Sequence, residues 1–295
     1  MSKRNSAPRG AKEKKNIVFT VQEGGGLLEV TRRQLNHLPA GKVKSFLEHR
    51  QISVDGVVKT KFDYPVKPGQ TITIAPTGAA KACPLPILYE DEAILAVDKP
   101  AGLLVVATDT EKTRTAYRML REAGMDNVFV VHRLDRDTSG VLIFAKSREI
   151  RDTLQAGWDN VTREYIALCE GVFEQKQGRR VTMLTEDVNH MVYSVSGGGG
   201  KQAVTNYTVT AENETHSQLR VNIETGRKNQ IRVPMKELGH PVVGDKKYGS
   251  GAGPLGRLAL HASLLGIRHP VSGKYLEISA PTPAKLRLKS LRTDR

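Results

Sequence analysis

The runs QAVTNYTVTAE (202–212) and SQLRVNIETG (217–226) place matching side chains at every second position, the period of a strand with one buried face. Shorter runs of strand character surround them: ILYEDEAILAVDKPAGLLV (87–105), NVFVVHRLDRDTSGVLIFAKS (127–147), REYIALCEG (163–171), GIRHP (266–270) and KYLEISAP (274–281). One helical stretch falls near Thr113 to Glu122. A chain written this way is expected to be an α+β protein, with a domain from 87 to 295 built mainly of antiparallel sheet and flanking helices. The segment VSGGGGKQ (195–202) carries four consecutive glycines, which weaken any sheet, and predicts a mobile loop.

A second, smaller unit precedes it. Leu35, Leu38, Val43, Phe46 and Leu47 have the spacing of short helices, ISVDGVV (52–58) contains an Asp-Gly step that turns a hairpin, and TITI (71–74) alternates as a strand. Residues 16–76 are therefore expected to form a small α/β domain. Residues 1–15 hold six Lys or Arg against one Glu and predict a disordered basic arm. Thr77 to Pro86 reads as a linker.

Charge narrows the partners. With 45 Lys and Arg against 31 Asp and Glu, the 295-residue chain carries +14, a field that gathers polyanions, nucleic acid before membrane. Cys83 and Cys169 lack CxxC spacing, so neither a disulfide framework nor a zinc site is indicated. No apolar run approaches the roughly 18 residues of a membrane span and no signal peptide is visible, so a cytoplasmic protein is expected. His132, His240, His261 and His269 have no metal spacing, and no carboxylate cluster or nucleotide fingerprint is present. No metal and no cofactor are expected, and the chain is read as a monomer.

The segment GKVKSFLEHRQISVDGVVKTKFDYPVKPGQTI (41–72) resembles the ribosomal-protein-S-four-like, or alpha-L, RNA-binding module, in which a basic helix leads to a V-N-G-type turn and then K-x-G-D-x-I. Asp55 stands where that module has Asn and Gln70 where it has Asp. Lys42, Lys44, His49, Arg50, Lys59 and Lys61 are candidates for one basic face suited to RNA phosphates.

In HRLDRDTSG (132–140) a carboxylate, Asp135, sits between Arg133 and Arg136. Flanking guanidinium groups favour its ionised form, fit for a nucleophile or an electrostatic partner and unfit for a general acid. Asp137, Thr138, Ser139 and Gly140 suit a rigid turn between two strands. On the residues alone, a structural Asx-turn with surface ion pairs explains the loop equally well.

HRLDRDTSG also resembles the signature loop of the RluA-type family of RNA pseudouridine synthases. LYEDEAILAVDKPAGLLV, REYIAL, TGRKNQIRV, LGHPVVGDKKYG and RLALHASLLGIRHP resemble further family motifs, in family order, over about 87–282. The resemblance implies a pseudouridine synthase fold and an isomerase that flips a uridine out of RNA, detaches its base and rejoins it through carbon, with large-subunit ribosomal RNA the leading substrate and transfer RNA the other. Asp135 takes the catalytic position, by addition or by elimination at the sugar. Tyr165 lies against the uracil ring or helps remove its proton. Arg232 pairs with Asp135, and Ile231 forms an apolar wall. His132, Arg133, Arg136 and Lys228 fall among the substrate contacts, and Lys246 and Lys247 add to the RNA path. Lys228, Asn229 and Pro234 depart from the family pattern of Thr-His before the Gln and His after the Arg-Val. The rival readings are an RNA-binding or ribosome-assembly factor with a decayed site and, more distantly, a metal-dependent nuclease.

Overall fold

The computed structural model describes residues 16–48, 51–75, 83–109, 111–125, 127–196, 199–251, 253 and 255–288. They divide into two compact units, the second beginning at Cys83.

The first unit runs β1 (Ile17–Thr20), β2 (Gly25–Gly26), α1 (Leu27–Gln34), α2 (Ala40–Glu48), β3 (Ile52–Val54), β4 (Val57–Val58), β5 (Pro65–Val66) and β6 (Thr71–Ile74). Its four-stranded antiparallel sheet has the order β1-β6-β3-β4. The alternation of TITI is realised as Ile72 and Ile74 pointing into a core with Leu27, Val43, Phe46 and Leu47. Asp55 and Gly56 turn the β3–β4 hairpin with φ of 48° and 81°, the left-handed pair that a two-residue turn of this twist demands. The two departures from the alpha-L pattern meet here, because Gln70 Nε2 donates to Asp55 Oδ2 at 2.8 Å and Asp55 Oδ1 accepts from Thr71 N–H at 2.8 Å.

The second unit runs β7 (Ile87–Glu90), β8 (Ile94–Lys99), α3 (Ala116–Glu122), β9 (Phe129–Val130), β10 (Ser139–Ala145), α4 (Arg148–Ala156), β11 (Thr162–Glu170), β12 (Gln177–Glu186), β13 (Val192–Ser194), β14 (Lys201–Glu212), β15 (His216–Ile223), α5 (Arg232–Glu237), β16 (Leu260–Arg268) and β17 (Tyr275–Ser279). The strands form one sheet in the order β13-β12-β14-β15-β11-β16-β10-β8-β7, with β17 on β16 and β9 on β10. Every pairing along it is antiparallel except β10 with β16. The unit is thus the α+β, mainly antiparallel structure that the alternation predicts.

Two boundaries differ from expectation. Leu85 is buried in a core cluster and the Pro86 carbonyl accepts from Asp98 N–H at 2.8 Å, so the end of the expected linker belongs to the second unit. Lys201 and Gln202 open β14 instead of closing a loop, while Gly197 and Gly198 and the whole basic arm lie outside the described residues. Among the elements that were not expected are β12, β13 and α4. The polar stretch REIRDTLQA becomes helical behind Ser147, whose side chain caps Ile150 N–H.

Candidate active site

The loop bearing Asp135 joins β9 to β10 and is fixed at both ends. On one side stands Lys99, the last residue of β8, fully buried, whose Nζ donates to the carbonyls of Pro100 (3.0 Å), Leu103 (2.7 Å) and Arg136 (3.0 Å). An ammonium has three donors and no acceptor, so three carbonyls satisfy it and tie the Lys-Pro-Ala-Gly turn to the Asp135 loop. On the other side Gly140, at φ 115°, lies so close to β16 that a Cβ would stand 2.1 Å from the Ala262 carbonyl oxygen. Beside it Arg257 Nη2 donates to Ser139 Oγ at 2.8 Å. His261 Nε2 faces the Ala280 carbonyl oxygen at 3.4 Å, which takes its proton, so the neutral ring accepts the Ser139 hydrogen at Nδ1, 2.8 Å away. Burial lowers its pKa, in keeping with that state.

Tyr165 enters from β11, paired with Val221 of β15 and Ala262 of β16. The register with β16 slips between Glu164 and Tyr165, a bulge of the kind that re-aims a side chain. Burial pushes its phenol up to about 12, Arg163 pulls it down and Asp135 adds to the rise.

Arg232 opens α5 and is buried. Its expected pairing with Asp135 is the looser of two: Nη1 stands 3.8 Å from Asp135 Oδ2, whereas Nε and Nη2 hold Asp245 at 2.8 and 2.7 Å. Nη1 also donates to Asn229 Oδ1 at 2.9 Å, and the guanidinium lies 5.1 Å from the centre of the Tyr248 ring. Asp245 in turn accepts from the N–H groups of Lys247 and Tyr248, so it is a fully engaged anchor. Pro234 falls in the first turn of α5, where the ring breaks no helix bond.

The ionised form expected of Asp135 is opposed by burial. Burial raises its carboxyl above the ordinary value, although 30% of the side chain is exposed, and the opposing pull comes from Arg232, Lys228, Lys99 and Lys247. Arg133 and Arg136, its neighbours in sequence, are exposed and form no ion pair with it among the described residues. The cations that matter come from three other segments of the chain.

The remaining expected contacts separate. Ile231 is buried in the cluster against which Tyr165 packs. His132 stacks on Trp158 at 4.7 Å and its Nε2 accepts from Ile143 N–H at 3.1 Å, so its ring is held by the fold. Lys228 Nζ meets Glu186 at 2.5 Å, and Lys247 Nζ donates to the His190 carbonyl at 2.5 Å. In the first unit Lys42, Lys44 and Lys61 are exposed. Lys59 is corrected: it is only 8% exposed, with its ammonium 4.4 Å from the centre of the Tyr64 ring, and adds nothing to a basic face. His49 and Arg50 lie outside the described residues.

Lys99, Asp245 and Asn229 were not singled out as site residues. Asp245 is the one carboxylate in an otherwise basic turn, GDKKYG, and that isolation was the available signal. Among the described residues no group of three His, Cys, Asp or Glu side chains could hold a metal, and no helix is long and apolar enough to cross a membrane.

Comparison with known proteins agrees with this geometry. The family model for RNA pseudouridylate synthase matches residues 93–237. An uncharacterized RNA pseudouridine synthase of Bacillus subtilis strain 168 is 34% identical over 290 residues, covering 92% of this chain and 94% of its own. The ribosomal large subunit pseudouridine synthase D of Vibrio cholerae is 34% identical over 275 residues, covering 82% and 83%. Among solved structures, human RNA pseudouridylate synthase domain containing 1 superposes with a TM-score of 0.57 at 26% identity, over 68% of this chain and 84% of that one. The family model and these relatives place the chain in the RluA-type family of RNA pseudouridine synthases, isomerases that act on uridine in RNA.

Proposed function

We propose that this chain isomerises uridines of large-subunit ribosomal RNA, in the cytoplasm and as a monomer, with Asp135 as the catalytic carboxylate. The observation that carries the assignment is the placement of Asp135 Oδ2 3.8 Å from Arg232 Nη1, in a loop clamped by Lys99 and within electrostatic reach of Tyr165. A stacked uridine hides its glycosidic bond, so the base is everted to reach this carboxylate. Asp135 then acts at the sugar, the bond from the sugar to nitrogen breaks, the uracil turns, the bond to carbon forms, and that carbon gives up its proton while the freed nitrogen gains one. Arg232, its guanidinium held by Asp245 and Asn229, keeps Asp135 ionised and aimed, a preorganised charge pair. Tyr165 lies against the ring, and Ile231 backs it.

Ribosomal RNA is favoured by the large-subunit activity named for the Vibrio cholerae relative and by the exposed Lys42, Lys44 and Lys61 of the first unit, which suit a bulky folded RNA. Asp135→Asn is expected to abolish pseudouridine formation while RNA affinity stays within about twofold, since the amide keeps the shape and loses the charge. Full activity in that variant would refute the assignment. Pseudouridine maps of RNA from cells with and without the gene test the substrate, and a difference confined to transfer RNA moves the target there.

A further inference from the structure

We infer that Arg163 serves Tyr165: a buried guanidinium that lines the same cavity as the phenol and offsets negative charge that gathers on its oxygen. The inference rests on the reading of Tyr165 given under the proposed function and extends it to a residue that no contact with substrate would single out.

Arg163 lies two residues before Tyr165 on β11 and is only 6% exposed. Its Nη2 donates to the Glu224 carbonyl at 2.8 Å. Its Nη1 occupies the space of a side chain at Gly226, where a Cβ would come within 3.0 Å. Those contacts bind β11 to the loop that leads into Arg232. Among the described residues, however, its buried Nε meets no acceptor and no carboxylate pairs with it. A buried cation with no carboxylate at ion-pair distance is costly, which suits it to a charge that arrives during the reaction.

What it faces identifies that charge. Arg163, Tyr165 and His132 line one cavity of about 10 Å³, room for a water and not for a base, walled by apolar Leu134, Val141 and Ala262. Such walls leave a charge poorly screened. His132 brings no competing cation, because burial and then Arg163 hold its pKa near 3. The groups of opposite sign that act on Arg163 are Tyr165 first and Asp159 second. The partner that can gain negative charge during the reaction is therefore the Tyr165 oxygen.

The test uses Arg163→Met and Arg163→Lys in the full chain, with single-turnover rates at saturating RNA, KM and melting temperature measured for each. Arg163→Met is expected to lower the rate at least tenfold with KM within twofold, and Arg163→Lys to recover part of the loss by restoring charge without the fork. In a Tyr165→Phe background the Met substitution is expected to cost less than a further twofold, because the hydroxyl it serves is gone. Independent, multiplicative losses in the double variant, or a wild-type rate in Arg163→Met, overturn the inference. Should Arg163→Met not fold, Arg163→Gln takes its place in the same cycle. An inactive Asp135→Asn beside fully active Arg163 variants rejects this inference alone, whereas an active Asp135→Asn rejects the site on which it rests.

Discussion

Arg232 has five donors, and the way they are divided decides what Asp135 can do. Two go to Asp245 in a bidentate grip, one reaches Asn229 Oδ1, and the same Nη1 is left facing Asp135 at 3.8 Å. A tighter pair would quench the carboxylate. A looser one would leave burial free to protonate it, since burial already raises its pKa. Asp245 is thus the residue that sets the distance. Asp245→Asn removes the counter-charge of a buried guanidinium, a break that costs about 3 kcal/mol in comparable buried pairs. For a unit of this size that lowers the melting temperature by about 6–12 °C. The single-turnover rate is expected to fall at least tenfold at saturating RNA, because Arg232 is then free to close on Asp135. An unchanged rate together with an unchanged melting temperature would remove Asp245 from this role.

At the level of elements, the site exists because three close approaches bring separate segments to one place. Gly140 lets β10 touch β16, the bulge in β11 turns Tyr165, and Lys99 staples the end of β8 to the Asp135 loop. Lys99 is the one with a pH signature. Burial draws its pKa from the ordinary lysine value down to about 7, against the pull of Asp137 and Asp135. The unfolded chain therefore holds that proton more tightly than the fold does, so the contribution of this position to stability rises as pH climbs from about 7 to 10. Lys99→Met, which leaves three carbonyls unmet, is expected to melt about 4–8 °C lower at pH 6, where the ammonium carries its three donors, from roughly 2 kcal/mol of unsatisfied acceptors. The gap should widen between pH 7 and 9, and a constant gap would mean that Lys99 does not titrate there. These elements also show what the sequence could reveal. Period-two alternation made β14 and β15 legible, and the signature loop made Asp135 legible. β12 went unseen because GRRVTMLTE has a largely exposed, polar pattern, and α4 because its apolar stripe is thin. Lys99 and Asp245 looked like turn residues, since the partners that give them meaning lie up to 37 and 13 positions away.

The chain divides into two units, each with a core of its own. Asp135, Tyr165, Arg232 and the groups that orient them all belong to the second unit, which contains its own core clusters. The first unit has a separate core and presents Lys42, Lys44 and Lys61 to solvent. A lysine that neutralises a phosphate releases a counter-ion and steepens the fall of log affinity with log salt by about 0.7 to 0.9. Three such contacts account for about 2 units of slope. A chain of residues 83–295 is therefore expected to bind structured ribosomal RNA with a salt slope shallower by about 2 than the full chain, while its single-turnover rate at saturating RNA stays within about threefold. Binding measured from 50 to 300 mM salt reads the first quantity and rapid quench the second. Equal slopes would strip the first unit of its RNA contact, and a much slower rate at saturation would show that it helps to present the uridine as well as to hold the RNA around it.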